Sequence, residues 1–390
     1  MINILHFTYD YPSAVTPDKT PAVLNLIKSV ENSCGHFVVN LNRVNSFNKE
    51  SFFFNNNLAV INTFGLPKGM FFRFTLHRAL KNINTLKKTY DIDFNKFNLI
   101  HSHKLCFEGP IAYNYSLKHN IPFIISVRTF DFPVLKYRID LRSFYKKILL
   151  AAKQIIFISP WMENFLADII GTSFYNSYLK NKTFCLGSII NLNYSDKLTI
   201  AFDKKQSVFK FVTVMKISEL YIKVKNIRRV LESLSKLEIP FMFDIIGTGD
   251  SGSVKKLNKM IEKYRLNGKV RLTGYVENRY IADYLKQYDA YIMPSYPETL
   301  GMAFIEALNA GVPVIYSQNA GIDGFFDDSI GIKVNPFDIN SIYQGIKKII
   351  DLNSVYKSNI KSLIECGGLD RFKSEYVGKN YFYIINKAVE

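Results

Sequence analysis

The sequence predicts an α/β protein built from two Rossmann-like domains in tandem, and three observations carry that expectation. Its 390 residues exceed one ordinary core and suit two domains of about 150 to 200 residues each. Short apolar runs alternate with amphipathic stretches, the pattern of parallel strands covered by helices. The alternation lapses once, in the polar stretch from Tyr194 to Ser207, and then starts again. We place the first domain at residues 1–195, the second at 205–371, and a final helical segment at 372–390.

In the first domain the apolar runs read as strands at Asn3–Phe7, His36–Asn40, Leu58–Asn62, Leu99–Ser102, Phe123–Val127, Gln154–Ile158 and Thr183–Leu186. Helices are expected at Ala22–Glu31, Phe71–Lys87, Gly109–His119, Ser143–Ala152 and Trp161–Ile169, with loops at Val44–Ser51 and Asn55–Asn57. The second series has strands at Phe209–Met215, Met242–Ile246, Val270–Leu272, Ala290–Met293, Val314–Tyr316 and Ile332–Val334. Its helices fall at Ile227–Leu237, Val254–Tyr264, Arg279–Gln287, Gly301–Asn309 and Ile339–Leu352.

Composition narrows the classes. With 48% hydrophobic residues and a mean hydropathy of zero the chain reads as soluble and globular. No apolar run approaches the roughly 18 to 20 residues of a membrane span, and Met1-Ile-Asn-Ile-Leu leads straight into a strand, so the expected location is the cytoplasm. Cys34, Cys106, Cys185 and Cys366 are too scattered for a metal or disulfide framework. The net charge of +17 is uneven: Leu66 to Lys153 holds 16 Lys/Arg against 5 Asp/Glu, interleaved with aromatics. Such a segment suits an anionic membrane surface, reached peripherally from the cytoplasmic side of the plasma membrane, or a solvated basic face. No nucleic-acid module accompanies the charge, and nucleic acid is not an expected partner.

In open parallel sheets ligands bind beyond the carboxyl ends of strands, which selects the turns to inspect. In the first domain these hold Tyr9 and Asp10, His103, and Arg128 to Asp131; in the second, Lys216 to Asn226, Gly247-Thr-Gly-Asp250, and Ser295 to Gly301. A helix opening at Gly301 would aim backbone N–H groups and a partial positive charge at a phosphate, with Thr299 and Leu300 beside it. Glu298 and Glu306 suit sugar hydroxyls, and Glu306, set among apolar helix residues, would be costly without a partner. Lys216 and Lys225 can neutralise a diphosphate. His101 and His103 have a metal-pair spacing but no third ligand in sequence, so one is expected in the core and one in the cleft. Asp91-Ile-Asp93 precedes a strand and is discounted as a metal site, and no metal or cofactor is expected.

These residues match a family pattern. Tyr288-Asp-Ala-Tyr-Ile-Met-Pro-Ser-Tyr-Pro-Glu-Thr-Leu-Gly-Met-Ala-Phe-Ile-Glu-Ala-Leu-Asn-Ala-Gly-Val-Pro-Val-Ile resembles the E-x7-E signature of retaining GT-B glycosyltransferases of the group 1 (family 4) type. Met215-Lys-Ile-Ser with Lys225-Asn226, and Asp244-Ile-Ile-Gly-Thr-Gly, are similar to further elements of that family. In the first domain His101-Ser-His103 resembles its His-x-His strand end, but Arg128 stands where a histidine commonly contacts the donor sugar, and Tyr11-Pro-Ser-Ala-Val replaces a glycine pair.

The resemblance implies two domains facing each other across a cleft, with the 372–390 segment crossing back onto the first. It implies hexosyl transfer from a nucleotide diphosphate sugar, UDP preferred over GDP, to a bacterial surface glycan such as capsule or lipopolysaccharide, or to a lipid-linked acceptor. By analogy Glu306 would hold the ribose, Glu298 the sugar hydroxyls, the Thr299–Gly301 amides the sugar and phosphates, and Lys216 and Lys225 the leaving phosphate. Arg128 and Asp131 are expected near the reacting groups, Gly247 and Gly249 near the donor, and Tyr9, Asp10 and His103 on the acceptor side. The rival readings are a non-catalytic sugar-nucleotide or glycan-binding subunit and a nucleotide-sugar epimerase.

Overall fold

The computed structural model describes residues 1–13, 19–42, 52–55, 57–63, 72–190, 192 and 208–390. The loop expected at Val44–Ser51 and the linker expected at Tyr194–Ser207 lie outside these. The chain divides into two compact units. The first comprises Met1–Ile158, Met162–Ile189 and Ser374–Glu390; the second comprises Ser159–Trp161 and Ile190–Lys373.

The first unit's strands are β1 (Ile2–Thr8), β2 (Cys34–Asn40), β3 (Phe52–Asn55), β4 (Leu58–Asn62), β5 (Leu99–Ser102), β6 (Phe123–Val127), β7 (Gln154–Phe157) and β8 (Thr183–Cys185). They lie in the order β3-β4-β2-β1-β5-β6-β7-β8, all parallel except β3 against β4. Helices α1 (Ala22–Lys28), α2 (Phe72–Thr89), α3 (Gly109–His119), α4 (Asp131–Tyr137), α5 (Arg142–Ala151), α6 (Trp161–Ile170) and α7 (Thr172–Tyr178) connect them. Strands β5, β6 and β7 are buried at every position, which is why they read as unbroken apolar runs rather than alternating ones.

In the second unit β9 (Phe209–Val214), β10 (Phe241–Ile246), β11 (Val270–Gly274), β12 (Ala290–Ile292), β13 (Val314–Ser317) and β14 (Gly331–Val334) form a parallel sheet ordered β11-β10-β9-β12-β13-β14. Its helices are α8 (Glu219–Val224), α9 (Ile227–Leu234), α10 (Ser251–Lys263), α11 (Asn278–Leu285), α12 (Met302–Asn309), α13 (Ile339–Asp351) and α14 (Asn353–Glu365). Several starts carry the expected side-chain caps: Ser218 accepts from Tyr221 N at α8, and Asp250 accepts from Ser253 N at 2.8 Å at α10. Phe211, Phe243, Ile245, Leu231 and Ile346 centre its core.

The closing helix α15 (Ser374–Val389) belongs to the first unit, where Val377, Tyr381, Ile384 and Ile385 share one core with Ile4, Leu99, Ile124 and Ile156. In each sheet the chain order reverses once, between β1 and β5 and between β9 and β12. That is where a parallel sheet opens a crevice at its carboxyl edge. Among the described residues no helix is long and apolar enough to cross a membrane.

Strand β3 and helices α4, α7, α8 and α14 were not anticipated. Strand β3 is a four-residue antiparallel edge beside an Asn-rich turn, and α8 has six residues, too few for a periodic signal. Asn55, expected in a loop, ends β3.

Candidate active site

In the second unit the turns after β9 and β12 are tied together by hydrogen bonds from one side-chain amide and one backbone amide. Asn226, in the left-handed region at φ 60°, turns the chain between α8 and α9, and its side-chain amide donates to the carbonyls of Pro294 and Pro336 at 3.1 and 2.6 Å. Tyr296 N donates to Val224 O at 2.9 Å. These bonds set Lys225, which follows α8, against the loop after β12, and its Nζ lies 2.5 Å from Glu298 Oε2. Ser295 Oγ donates to the same oxygen at 3.2 Å, and Thr299 N donates to Oε1 at 3.1 Å. Both members of the ion pair keep about a sixth of their side-chain surface, 16% and 15%, so a ligand can reach them.

The loop is held from behind. Gly321 N donates to Glu298 O at 3.0 Å, Ser159 Oγ donates to Gly321 O at 2.5 Å, and Trp161 Nε1 donates to Thr299 O at 3.4 Å. Leu300 is buried in the core, so what it offers a ligand is its backbone. Gly301 takes φ 72° as it opens α12, and a Cβ there would lie 2.6 Å from the Phe304 ring; the position demands glycine on both counts. Glu306, on α12, has no hydrogen-bond or ion-pair partner among the described residues, and burial pushes its carboxyl above the ordinary range.

Gly247 and Gly249 serve a close approach of chains. A Cβ on Gly247 would fall 1.9 Å from Met215 O, and one on Gly249 1.8 Å from Ile217 O. Ile217 N donates to Thr248 O at 2.8 Å, so the two loops run side by side and leave Lys216 exposed between Met215 and Ile217.

In the first unit the turns after β1, β5 and β6 gather charges. Lys104 Nζ lies 2.5 Å from Asp10 Oδ2, and Lys19 Nζ 3.7 Å from its other oxygen. Burial alone would raise the Asp10 carboxyl, but Lys104 beside it leaves it below the ordinary range. Tyr9 N donates to Glu108 Oε1 at 2.8 Å, and the Tyr9 ring faces Lys19 and Lys104 at 4.2 and 5.5 Å. Glu108 is wholly buried, its other oxygen has no partner, and burial pushes its carboxyl up to about 8.

Asp131 opens α4 and is also fully buried. Its carboxylate accepts the backbone N–H groups of Leu105, Cys106 and Arg128 at 3.1, 2.7 and 2.9 Å. Its oxygens therefore hold the β5 and β6 turns to each other. Arg128 Nε donates to His103 O at 3.1 Å.

The histidines depart from expectation. His103, expected to face the cleft, is 1% exposed, and His101 is wholly buried. His6 on β1 is the register partner of His101 on β5, and His36 comes from β2. His36 Nδ1 meets His6 Nε2 at 2.9 Å and His6 Nδ1 meets His103 Nε2 at 3.1 Å, while His101 bonds Tyr381 OH and Ser126 Oγ. Burial lowers all four, to about 4 for His36 and about 3 for His101, so they are neutral imidazoles. One ring nitrogen from each of His6, His101 and His103 lies within 4.8 Å of the others. Imidazole–imidazole bonding accounts for the His6–His103 approach, and the nearby charges of Arg128 and Lys104 are cations.

Sequence reasoning missed Glu108, Lys19, His6 and His36. A glutamate one residue ahead of α3, in a turn that follows a strand, was the available signal for Glu108. The histidines gave none, because strand register alone brings them together.

Residues 201–362 match the family described as glycosyl transferases group 1. The 2-deoxystreptamine N-acetyl-D-glucosaminyltransferase of Niallia circulans is 31% identical over 111 residues, 28% of this chain and 28% of that protein, so the match spans less than a third of that relative. Sucrose-phosphate synthase from Thermosynechococcus elongatus is similar in structure with a TM-score of 0.74, 16% identity and 99% of both chains covered. Anabaena HepE in complex with UDP-glucose gives 0.66 at 13% identity, over 99% of this chain and 100% of that one. At such identities the structural likeness is one of fold. With its matched segment in the second unit and a parallel sheet in each half, the chain is similar to the group 1 glycosyl transferases over residues 201–362 and has the GT-B fold.

Proposed function

We propose that this protein moves a hexosyl unit from a nucleotide diphosphate sugar, UDP rather than GDP, to a growing bacterial surface glycan or lipid-linked acceptor. The transfer retains anomeric configuration and requires no metal. The observation that carries the reading is the second unit's set of cations and carboxylates at the β9/β12 switch point: Lys225 on Glu298, Lys216 exposed beside Gly247–Gly249, and Glu306 without a partner among the described residues. UDP is favoured because HepE, of like fold, was solved with UDP-glucose.

On this reading the ribose hydroxyls donate to Glu306, which gives the half-buried carboxylate a partner. Glu298 accepts from hydroxyls of the donor sugar, and the amides from Thr299 to Gly301 meet sugar and phosphate at the start of α12. Lys225 and Lys216 balance the charge that grows on the leaving diphosphate. The acceptor oxygen bonds to the anomeric carbon on the face from which the phosphate oxygen departs, and that oxygen takes the acceptor's proton. Asp131, with its oxygens given to backbone amides, acts by positioning the first unit's loops. Replacing Lys225 by Ala should lower acceptor-dependent UDP release about 100-fold or more with the fold intact by circular dichroism. Full activity in that variant would sink the assignment, and sugar conversion without acceptor would favour an epimerase.

The first unit also carries exposed apolar side chains among basic ones: Phe130, Tyr137 and Ile139 are 71, 74 and 67% exposed, beside Lys136, Arg138 and Arg142. This surface supports peripheral attachment to an anionic membrane, where the lipid-linked acceptor would reside. Sedimentation with phosphatidylserine vesicles, weakened when Tyr137 and Lys136 are both changed to Ser, is the expected result; equal sedimentation with neutral vesicles would refute it.

A further inference from the structure

The first unit holds a guanidinium whose donors are mostly unspent. Arg128 is 8% exposed, and Nε is committed to His103 O. Its two terminal nitrogens make no hydrogen bond or ion pair among the described residues, although they carry four of the five N–H donors of the side chain. Neither is sealed from solvent, since neither is among the buried unpartnered atoms.

The surrounding carboxylates Asp10, Glu108 and Asp131 attract its charge but make no direct bond to it. Asp131 has both oxygens on backbone amides, Asp10 already carries Lys104 and Lys19, and Glu108 is held in its neutral form at neutral pH by burial. Three cations, Lys19, Lys104 and Arg128, thus converge on the carboxyl ends of β1, β5 and β6, and Arg128 makes no direct ion pair among the described residues. A residue needed only to hold the His103 carbonyl could be neutral. A permanently charged, planar fork held in place suits a carboxylate or phosphate that it can grip with two parallel bonds.

We propose that Arg128, assisted by Lys104, reads an anionic sugar: the substrate seated on the first unit carries a carboxylate or a phosphate, and Arg128 selects it over its uncharged analogue. This rests on the glycosyltransferase reading for the statement that a sugar binds here, and deepens it by naming the charge. The anion can belong to the acceptor or to the transferred sugar.

The test is calorimetric titration of the full chain with two sets of probes. Methyl glucoside, methyl glucuronide and glucose 6-phosphate, each with UDP present, query the acceptor. UDP-glucose and UDP-glucuronate query the donor. In the wild type one set is expected to show a preference of about tenfold or more for a charged member, and the set that shows it identifies the source. Arg128→Gln, which can still donate to His103 O, should abolish the preference while leaving UDP affinity unchanged. Arg128→Lys, which keeps the charge without the fork, should retain part of it. Equal binding of charged and neutral members in both sets, or a preference that survives Arg128→Gln, overturns the proposal. Loss of UDP affinity in Arg128→Gln also overturns it, because the anion read would then be the diphosphate. If the wild type fails to bind UDP the glycosyltransferase reading falls instead, and the free sugars still decide the role of Arg128.

Discussion

Glu306 and Lys225 show how one helix and one turn divide the chemistry of a small site. Lys225 meets its charge within the protein, on Glu298, whereas Glu306 is half-buried with no partner among the described residues. A raised folded-state pKa places a penalty on the ionised carboxyl: it is absent below the unfolded value, grows as pH rises, and is complete above the folded value. Glu306→Gln should therefore leave thermal stability at neutral pH unchanged or slightly higher. The same change should weaken UDP binding about 10- to 100-fold, since hydrogen bonds to a charged group contribute roughly 1.5–3 kcal/mol. Isothermal titration and a melting curve on one sample check both signs, and a variant that is both less stable and fully competent to bind would refute the ligand role.

At the scale of elements, α15 is the clearest case of a segment whose stability comes from elsewhere. Tyr381 is fully buried, and its hydroxyl lies 2.7 Å from His101 Nδ1 on β5, 280 residues earlier in the chain. Tyr381→Phe preserves the ring packing but leaves a buried imidazole nitrogen unpartnered, at a cost of about 1–3 kcal/mol. The urea midpoint of the first unit should fall accordingly, with the second unit unchanged. The strands were legible because buried parallel strands are continuous apolar runs, and Leu99–Ser102 and Phe123–Val127 were bounded to the residue. The second unit's turns singled out from the sequence do follow strands, since the apolar runs locate the carboxyl ends that precede them. The histidine cluster was not, since it exists only through the register of β1 with β2 and β5. Nor was the burial of His103 and Glu108, which depends on how three turns pack after the strands have paired.

Across the molecule, pH should act on the two units differently. His6, His36, His101 and His103 are neutral in the folded first unit but titrate near 6.5 when unfolded, so the stability tied to their neutrality is present above about pH 6.5 and is lost as pH falls. By pH 5 each contributes a loss of about 2 kcal/mol as an upper bound. Glu108 has the opposite sign: its folded value of about 8 exceeds the ordinary 4.5, so its contribution is present below 4.5 and is lost by pH 8. Four protons against one give the first unit its maximum at about pH 7, where the four unfolded-state histidines together hold about one proton. Calorimetry at pH 5 should show the first unit melting well ahead of the second, and Glu108→Gln should flatten the decline on the alkaline side. A single transition that moves equally for both units would refute the assignment.

The placement of α15 also bears on synthesis. The sheet face formed by Ile4, Leu99, Ile124 and Ile156 is covered by residues 377–385, which leave the ribosome after the whole of the second unit. The N-terminal half therefore cannot complete its core as it emerges, although domains generally fold in the order they are made. Until α15 emerges it exposes an apolar sheet face, and the second unit is able to fold before that face is covered. A nascent chain halted before residue 374 is expected to be captured by chaperones or proteases through its earliest residues.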